Sequence, residues 1–165
     1  MERVYLYPGE IFSTPQPRMV DTILGSCVAV ALYDERKQRG CINHYMLPEW
    51  NKEGKPSFKY GDVAIPEIVK KMLAMGSCKA DLKAKIFGGS EIGKSNGMFN
   101  IGARNILLAR EILKQEQIPI ISFSVGGKLG RKVIFNSCTG EVLIRFLKND
   151  HVNLEQASPS KIITR

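Results

Sequence analysis

The order of elements along the 165 residues predicts an α+β fold, a mixed α/β sandwich of packed β-sheets flanked by two main helices. Three observations carry that prediction. Short β-prone apolar runs bounded by Gly and Pro recur along the chain. Two longer segments place apolar residues at helical spacing. The order is several strands, helix, strand, helix and several strands, with no internal repeat and no low-complexity tract. At roughly 100–200 residues per domain, the length predicts a single domain, over residues 1–149, followed by a polar C-terminal tail at 150–165.

Taken in order, Val4 to Tyr7 is short and β-prone, and Pro8-Gly9 ends it. Thr14-Pro15-Gln16-Pro17 reads as a loop before Met19 to Leu24, which runs into Gly25-Ser26-Cys27. Val28 to Tyr33 is nearly all apolar over a strand's length, and Cys41 to Leu47 reads as the next strand, stopped by Pro48. The charged turn between them, Asp34 to Arg39, is short enough for a hairpin. Glu49 to Lys59 is a polar surface loop. Ile65, Ile68, Val69, Met72 and Leu73 then fall at helical spacing, and Gly76 ends that helix. Pro66 belongs in a helix's first turn, which puts the start near Asp62. Leu82 to Phe87 is a strand closed by Gly88-Gly89-Ser90. Asn100 to Glu116 is the second helix, with Asn100 as N-cap and Ile101, Leu108 and Ile112 on its stripe. Ile118 to Phe123 is a strand. Lys132 to Asn136 and Glu141 to Leu147 form a hairpin around Ser137-Cys138-Thr139-Gly140.

Composition narrows the function classes. Apolar residues make up 44% and charged residues 24%, which argues against wholesale disorder. No run of 18 apolar residues exists, so no membrane insertion is expected. The four cysteines, Cys27, Cys41, Cys78 and Cys138, are not in close-spaced pairs, which speaks against a structural zinc site and against a dense disulfide scaffold. The N-terminus has no signal core, and a reduced, cytoplasmic protein is the simplest reading. No metal and no cofactor is expected. Gly88-Gly89-Ser90 and Gly126-Gly127 lack the Gly-Lys-Ser/Thr ending of a phosphate loop and read as tight turns. The net charge of +8 favours an acidic partner without saying which.

The most informative stretch is Gly25-Ser26-Cys27, where a cysteine follows a Gly-Ser turn and opens a buried strand. Such a turn can present the thiol beside backbone N–H groups that would hold an oxyanion. A small buried filler is the competing reading of Cys27. His44, in the next strand, would be returned past the first by a hairpin, where it could take the thiol's proton or pair with the thiolate, a protonated ring lowering the thiol pKa. A core histidine bonded to a carbonyl is its alternative. An imidazole in that role needs an orienting acceptor. Asp21 and Thr22 are both near in sequence, and strand alternation lets only one of them face the site.

These residues resemble a known family. Thr22-Ile23-Leu24-Gly25-Ser26-Cys27-Val28-Ala29-Val30 and Asn43-His44-Tyr45-Met46-Leu47-Pro48 resemble the CheD family of bacterial chemoreceptor glutamine deamidases. Tyr60-Gly61-Asp62, Ala84 to Gly89, Asn100 to Asn105, Gly126-Gly127, Gly130-Arg131 and Thr139-Gly140-Glu141 follow in the same order, so the resemblance covers about residues 20–147. It implies a cysteine-dependent hydrolase of glutamine side chains on methyl-accepting chemotaxis receptors, with Cys27 as nucleophile, His44 as its partner and Thr22 as the third member. Glutamate methyl ester hydrolysis and the CheC phosphatase as a partner are further implications. So is a fold similar to cysteine-dependent toxin deamidases. This chain departs in having the threonine five residues before the cysteine, where some members have it six before in a segment with an additional glycine.

Three other functions compete, one of them a regulatory binder that keeps the fold without turnover, against which the intact Cys27 and His44 weigh. A protease or acyltransferase would use the same Cys27 and His44 on another substrate. A basic nucleic-acid-binding module would need a coherent basic stripe with stacking aromatics, whereas the charges here are scattered, so nucleic acid is not the expected partner. Lys83, Lys85 and Arg104 are the candidates for steering an acidic receptor surface.

Overall fold

In the computed structural model, which describes residues 1–91, 100–148 and 161–164, five strands precede the first helix. They are β1 (Arg3–Tyr5), β2 (Ile11–Ser13), β3 (Met19–Leu24), β4 (Val28–Asp34) and β5 (Arg39–Asn43). Helix α1 (Gly61–Ala74) and a single 3₁₀ turn (Lys79–Asp81) lead to β6 (Leu82–Gly88). Helix α2 (Ile101–Gln115) is followed by β7 (Ile120–Val125), β8 (Arg131–Asn136), β9 (Val142–Phe146) and β10 (Lys161–Thr164). They make two five-stranded mixed sheets, one ordered β1-β3-β8-β9-β10 and the other β2-β5-β4-β6-β7. The pairs β1·β3 and β6·β7 are parallel and the rest antiparallel. The α+β sandwich expected from the sequence is what forms.

Strand β4 shows why the layers stack as they do. Side chains alternate across a strand, and both of its faces are covered. Val28, Val30 and Leu32 join Ile65, Ile68 and Met72 of α1 and Ala109 and Leu113 of α2 in one core. Ala29 and Ala31 join Val20 and Leu24 of β3 and Val133, Phe135, Val142 and Ile144 of β8 and β9 in the other. The sheet containing β4 is therefore the inner layer, between the helices and an outer sheet. Small alanines on the inter-sheet face let the sheets approach closely. Gly40 on β5 serves the same end, since a Cβ there would stand 2.6 Å from Cζ of Phe135. Each fully buried Val, Leu, Ile or Phe side chain contributes about 1.5–3 kcal/mol relative to exposure.

Several boundaries differ from the sequence reading. Both helices pack on strands of the inner sheet, so they lie outside the sheets on one side of the sandwich. The buried line of α2 is Gly102, Asn105, Ala109 and Leu113, one position round from Ile101, Leu108 and Ile112, because α2 must present small residues to the sheet and a polar side chain to the loops at its end. Asn100 does cap it, accepting the Ala103 N–H at 3.1 Å. Helix α1 starts at Gly61, so Pro66 lies in its second turn. Strand β5 ends at Asn43, leaving His44 just beyond it. In the stretch expected as a polar tail, Lys161–Thr164 pairs antiparallel with Val142–Arg145 as an edge strand, and residues 149–160 lie outside the described ones. No helix among the described residues is long and apolar enough to cross a membrane.

Candidate active site

The chain leaves the outer sheet at the end of β3 and enters the inner sheet at the start of β4, and the three residues between are Gly25, Ser26 and Cys27. Their carbonyls are all taken. The Gly25 oxygen accepts from the Ser90 N–H at 2.9 Å and the Cys27 oxygen from the Gly89 N–H at 2.8 Å. The Ser26 oxygen accepts from Nδ2 of Asn105 on α2 at 3.0 Å. Gly88, at φ +100°, makes this close packing possible, because a Cβ there would overlap the Cys27 carbonyl oxygen. With its carbonyls held on one side, the turn leaves the N–H groups of Ser26 and Cys27 donating to no other backbone or side-chain group among the described residues. The Cys27 N–H lies against its own sulfur.

The loop Gly88-Gly89-Ser90 is in turn fastened to β8. Arg131 is buried and donates from Nη1 to Ser124 Oγ at 2.8 Å and from Nη2 to Ser90 Oγ at 3.1 Å and to the Gly126 carbonyl. Its guanidinium also sits 5.0 Å from the centre of the Phe146 ring.

His44 is held on both flanks. Its N–H donates to Glu10 O at 3.1 Å and its carbonyl accepts from the Gly9 N–H at 2.8 Å. Its neighbour Tyr45 exchanges two backbone bonds with Val28, at 3.0 and 3.1 Å. Val28 and Tyr45 pack into the helix-side core, so Cys27 and His44, one residue from each, fall on the opposite face, between the sheets. Cys27 packs against the inter-sheet core there. The two are diagonal neighbours across that antiparallel bridge, a relation that spans about 7–8 Å between backbones.

The outer sheet contributes Thr22. Its hydroxyl lies 2.7 Å from His44 Nδ1 and 2.8 Å from the Leu6 carbonyl oxygen. A hydroxyl has one proton. A carbonyl can only accept, so that proton goes to Leu6, and the Thr22 oxygen must accept from Nδ1–H of the ring. This assignment follows from the hydrogen-bond network. It leaves Nε2 as the acceptor nitrogen, and Nε2 is buried with no hydrogen-bond partner. Asp21, one residue earlier, points to the outer face, where Arg3 at 2.7 Å and Lys132 at 3.2 Å pair with it. Of the two candidate orienters, Thr22 meets the imidazole and Asp21 does not. The one-residue difference in threonine spacing leaves this contact intact.

The electrostatics describe a neutral resting pair. Burial pushes the Cys27 thiol above its ordinary range, its own N–H partly offsetting this. Burial drives His44 down to about 4, with the Leu6 carbonyl opposing. No hydrogen bond yet joins the sulfur to Nε2. At neutral pH the site holds a thiol and an uncharged imidazole, not the thiolate–imidazolium pair that would lower the thiol pKa. In free proteins, hydrogen bonds between reacting groups are often long and tighten only when substrate is bound.

The other cysteines are free thiols, with Cys41 buried and pushed up to about 12, Cys78 exposed and Cys138 half-buried. Lys85 is not a surface steering group. It is buried on β6 and donates from Nζ to the Gly140 carbonyl at 2.7 Å. Lys83 is half-buried and lies 3.4 Å from Glu35, and Arg104 is exposed on α2. Asn105 escaped the sequence reading as a separate feature. The available signal was an amide set at helical spacing from Gly102 and Ala109, on the face that had to be buried.

An α+β sandwich with a thiol, an imidazole and a hydroxyl acceptor gathered where its two sheets meet is the class that fold and site define. The chain belongs to the CheD family: the family model described as CheD chemotactic sensory transduction matches residues 46–146. It is 39% identical over 150 residues to the probable chemoreceptor glutamine deamidase CheD of Sulfurimonas denitrificans, covering 89% of this chain and 96% of that one. It is 41% identical over 145 residues to the protein of the same name from Trichlorobacter lovleyi, covering 87% and 90%. A third relative, probable chemoreceptor glutamine deamidase CheD 1 of Anaeromyxobacter dehalogenans, is 40% identical over 146 residues, covering 88% and 85%.

Proposed function

We propose that this chain is a cytoplasmic hydrolase that converts specific glutamine side chains of chemotaxis receptors to glutamate, using Cys27, His44 and Thr22. The observation that carries the reading is the Thr22–His44 bond, which fixes the proton on Nδ1 and leaves Nε2 free on the face shared with Cys27. The names of the relatives supply the substrate class.

In the proposed reaction the Cys27 thiol gives its proton to Nε2 as the sulfur attacks the amide carbon. The N–H groups of Ser26 and Cys27, unclaimed by neighbouring carbonyls, hold the oxyanion. The imidazolium, stabilised by Thr22, passes its proton to the departing nitrogen, and ammonia leaves a thioester. Nε2 then takes a proton from water, which attacks the thioester carbon. Glutamate is released and the proton returns to sulfur. A glutamate methyl ester would follow the same course with methanol leaving. The net charge of +8 supports encounter with an acidic receptor surface, and Arg104 is an exposed cation on the helix that holds the turn.

The test is incubation with a purified receptor cytoplasmic domain, read by ammonia release and peptide mass. Each reaction adds about one mass unit at a glutamine. Cys27→Ala should abolish the change. Chain cleavage in place of that mass increment would assign the same residues to a protease, and full deamidation by Cys27→Ala would end the proposal.

A further inference from the structure

Asn105 is the only side chain among the described residues that is bonded to both segments bearing the proposed reactive groups. Its Nδ2 donates at 3.0 Å to Ser26 O, in the turn that presents the thiol, and at 3.0 Å to Met46 O, two residues past the imidazole. Its own backbone carbonyl accepts the Tyr45 hydroxyl at 2.5 Å. Two of these three bonds therefore end beside His44 and one beside Cys27. The amide's orientation is not ambiguous. Both partners are carbonyl oxygens, so the nitrogen must face them and the oxygen must face away.

That oxygen, Oδ1, is buried and has no partner. A buried acceptor without a donor is destabilising, so an asparagine here is a poor choice for stability alone. What the amide supplies is a fixed separation between two loop carbonyls, and hence between the sulfur and Nε2. We infer that Asn105 is a positioning residue for the reaction, a clamp on α2 that sets the thiol–imidazole distance. The inference rests on the proposed roles of Cys27 and His44, and neither the sequence resemblance nor the names of the relatives assigns this part to Asn105.

The experiment compares the wild type, Asn105→Ala, the near-isosteric Asn105→Leu, His44→Asn and Cys27→Ala. Receptor deamidation across pH gives kcat and KM, thermal melting monitors folding, and peptide-resolved iodoacetamide labelling checks that Cys27 stays accessible. Asn105→Leu keeps about the same shape with no N–H to offer the two carbonyls and no buried charge, so it serves if the alanine variant fails to fold. A displacement of about 1 Å between reacting groups can cost about a hundredfold in rate. The expected result is a folded variant with kcat lowered by about that factor and KM within about threefold of wild type. The acid limb that His44 gives the pH profile of kcat should flatten, as in the residual activity of His44→Asn, because the imidazole no longer takes the thiol's proton. A kcat within threefold of wild type would overturn the inference. So would a loss matching only the unfolded fraction with the acid limb of kcat unchanged. If Cys27→Ala still deamidates receptor, the underlying reading has failed; if it is inactive while Asn105→Ala is normal, only the clamp has failed.

Discussion

Acid should expose the cost of keeping His44 uncharged. In the unfolded chain this imidazole titrates near its ordinary value of 6.5, and in the fold it does so at about 4. Between those values the unfolded chain binds the proton and the folded chain does not, so stability is full above pH 6.5 and falls as the pH drops toward 4. Converted through proton linkage, the loss from this group between pH 7 and pH 5 is about 2 kcal/mol, and by pH 4 about 3 kcal/mol. Other titrating groups add their own slopes, so the comparison must be with a variant. His44→Asn keeps an amide nitrogen near the place of Nδ1 and removes the titration. Urea unfolding followed by circular dichroism, at pH 7 and pH 5, should show the wild type losing about 2 kcal/mol more than His44→Asn. Equal losses in the two proteins would show that the imidazole is not held neutral, and the proton-transfer scheme would lose its basis.

Other outcomes follow from neighbouring contacts. Thr22→Val keeps the shape but leaves the Leu6 carbonyl and His44 Nδ1–H unpartnered. It should cost about 1–3 kcal/mol in unfolding and lower kcat strongly, while Thr22→Ser restores most of both. Gly88→Ala must place a side chain at φ +100° against the Cys27 carbonyl. It should lose about 1–3 kcal/mol from backbone strain alone and show reduced kcat in whatever fraction remains folded; a variant melting with the wild type would refute the packing argument.

Much of this arrangement is readable from residue pattern. The apolar run at Val28, the charged turn at Asp34 and the strand at Cys41 yield the hairpin directly, because adjacent β-prone runs joined by a short turn have few other ways to pair. Cys27 and His44 follow from that hairpin. The choice between Asp21 and Thr22 does not. It depends on which face of β3 turns inward, and that is set by its pairing with β8, more than a hundred residues away. The buried line of α2 is missed for a related reason. Ile101, Leu108 and Ile112 make the more apolar stripe, yet the sheet and the loops need Gly102 and Asn105 against them. Burial of Lys85 hides in the strand alternation, since its ammonium reaches a carbonyl contributed by the distant β8–β9 turn.

The pairing of β3 with β8 also orders events in time. Sulfur and imidazole are both made within the first third of the chain, but the strand carrying the hydroxyl has only the three-residue β1 beside it until Arg131–Asn136 has been synthesised. A nascent chain emerging from the ribosome thus carries its thiol long before the ring beside it can be locked, and the proposed site is assembled only after Arg131–Asn136 has emerged.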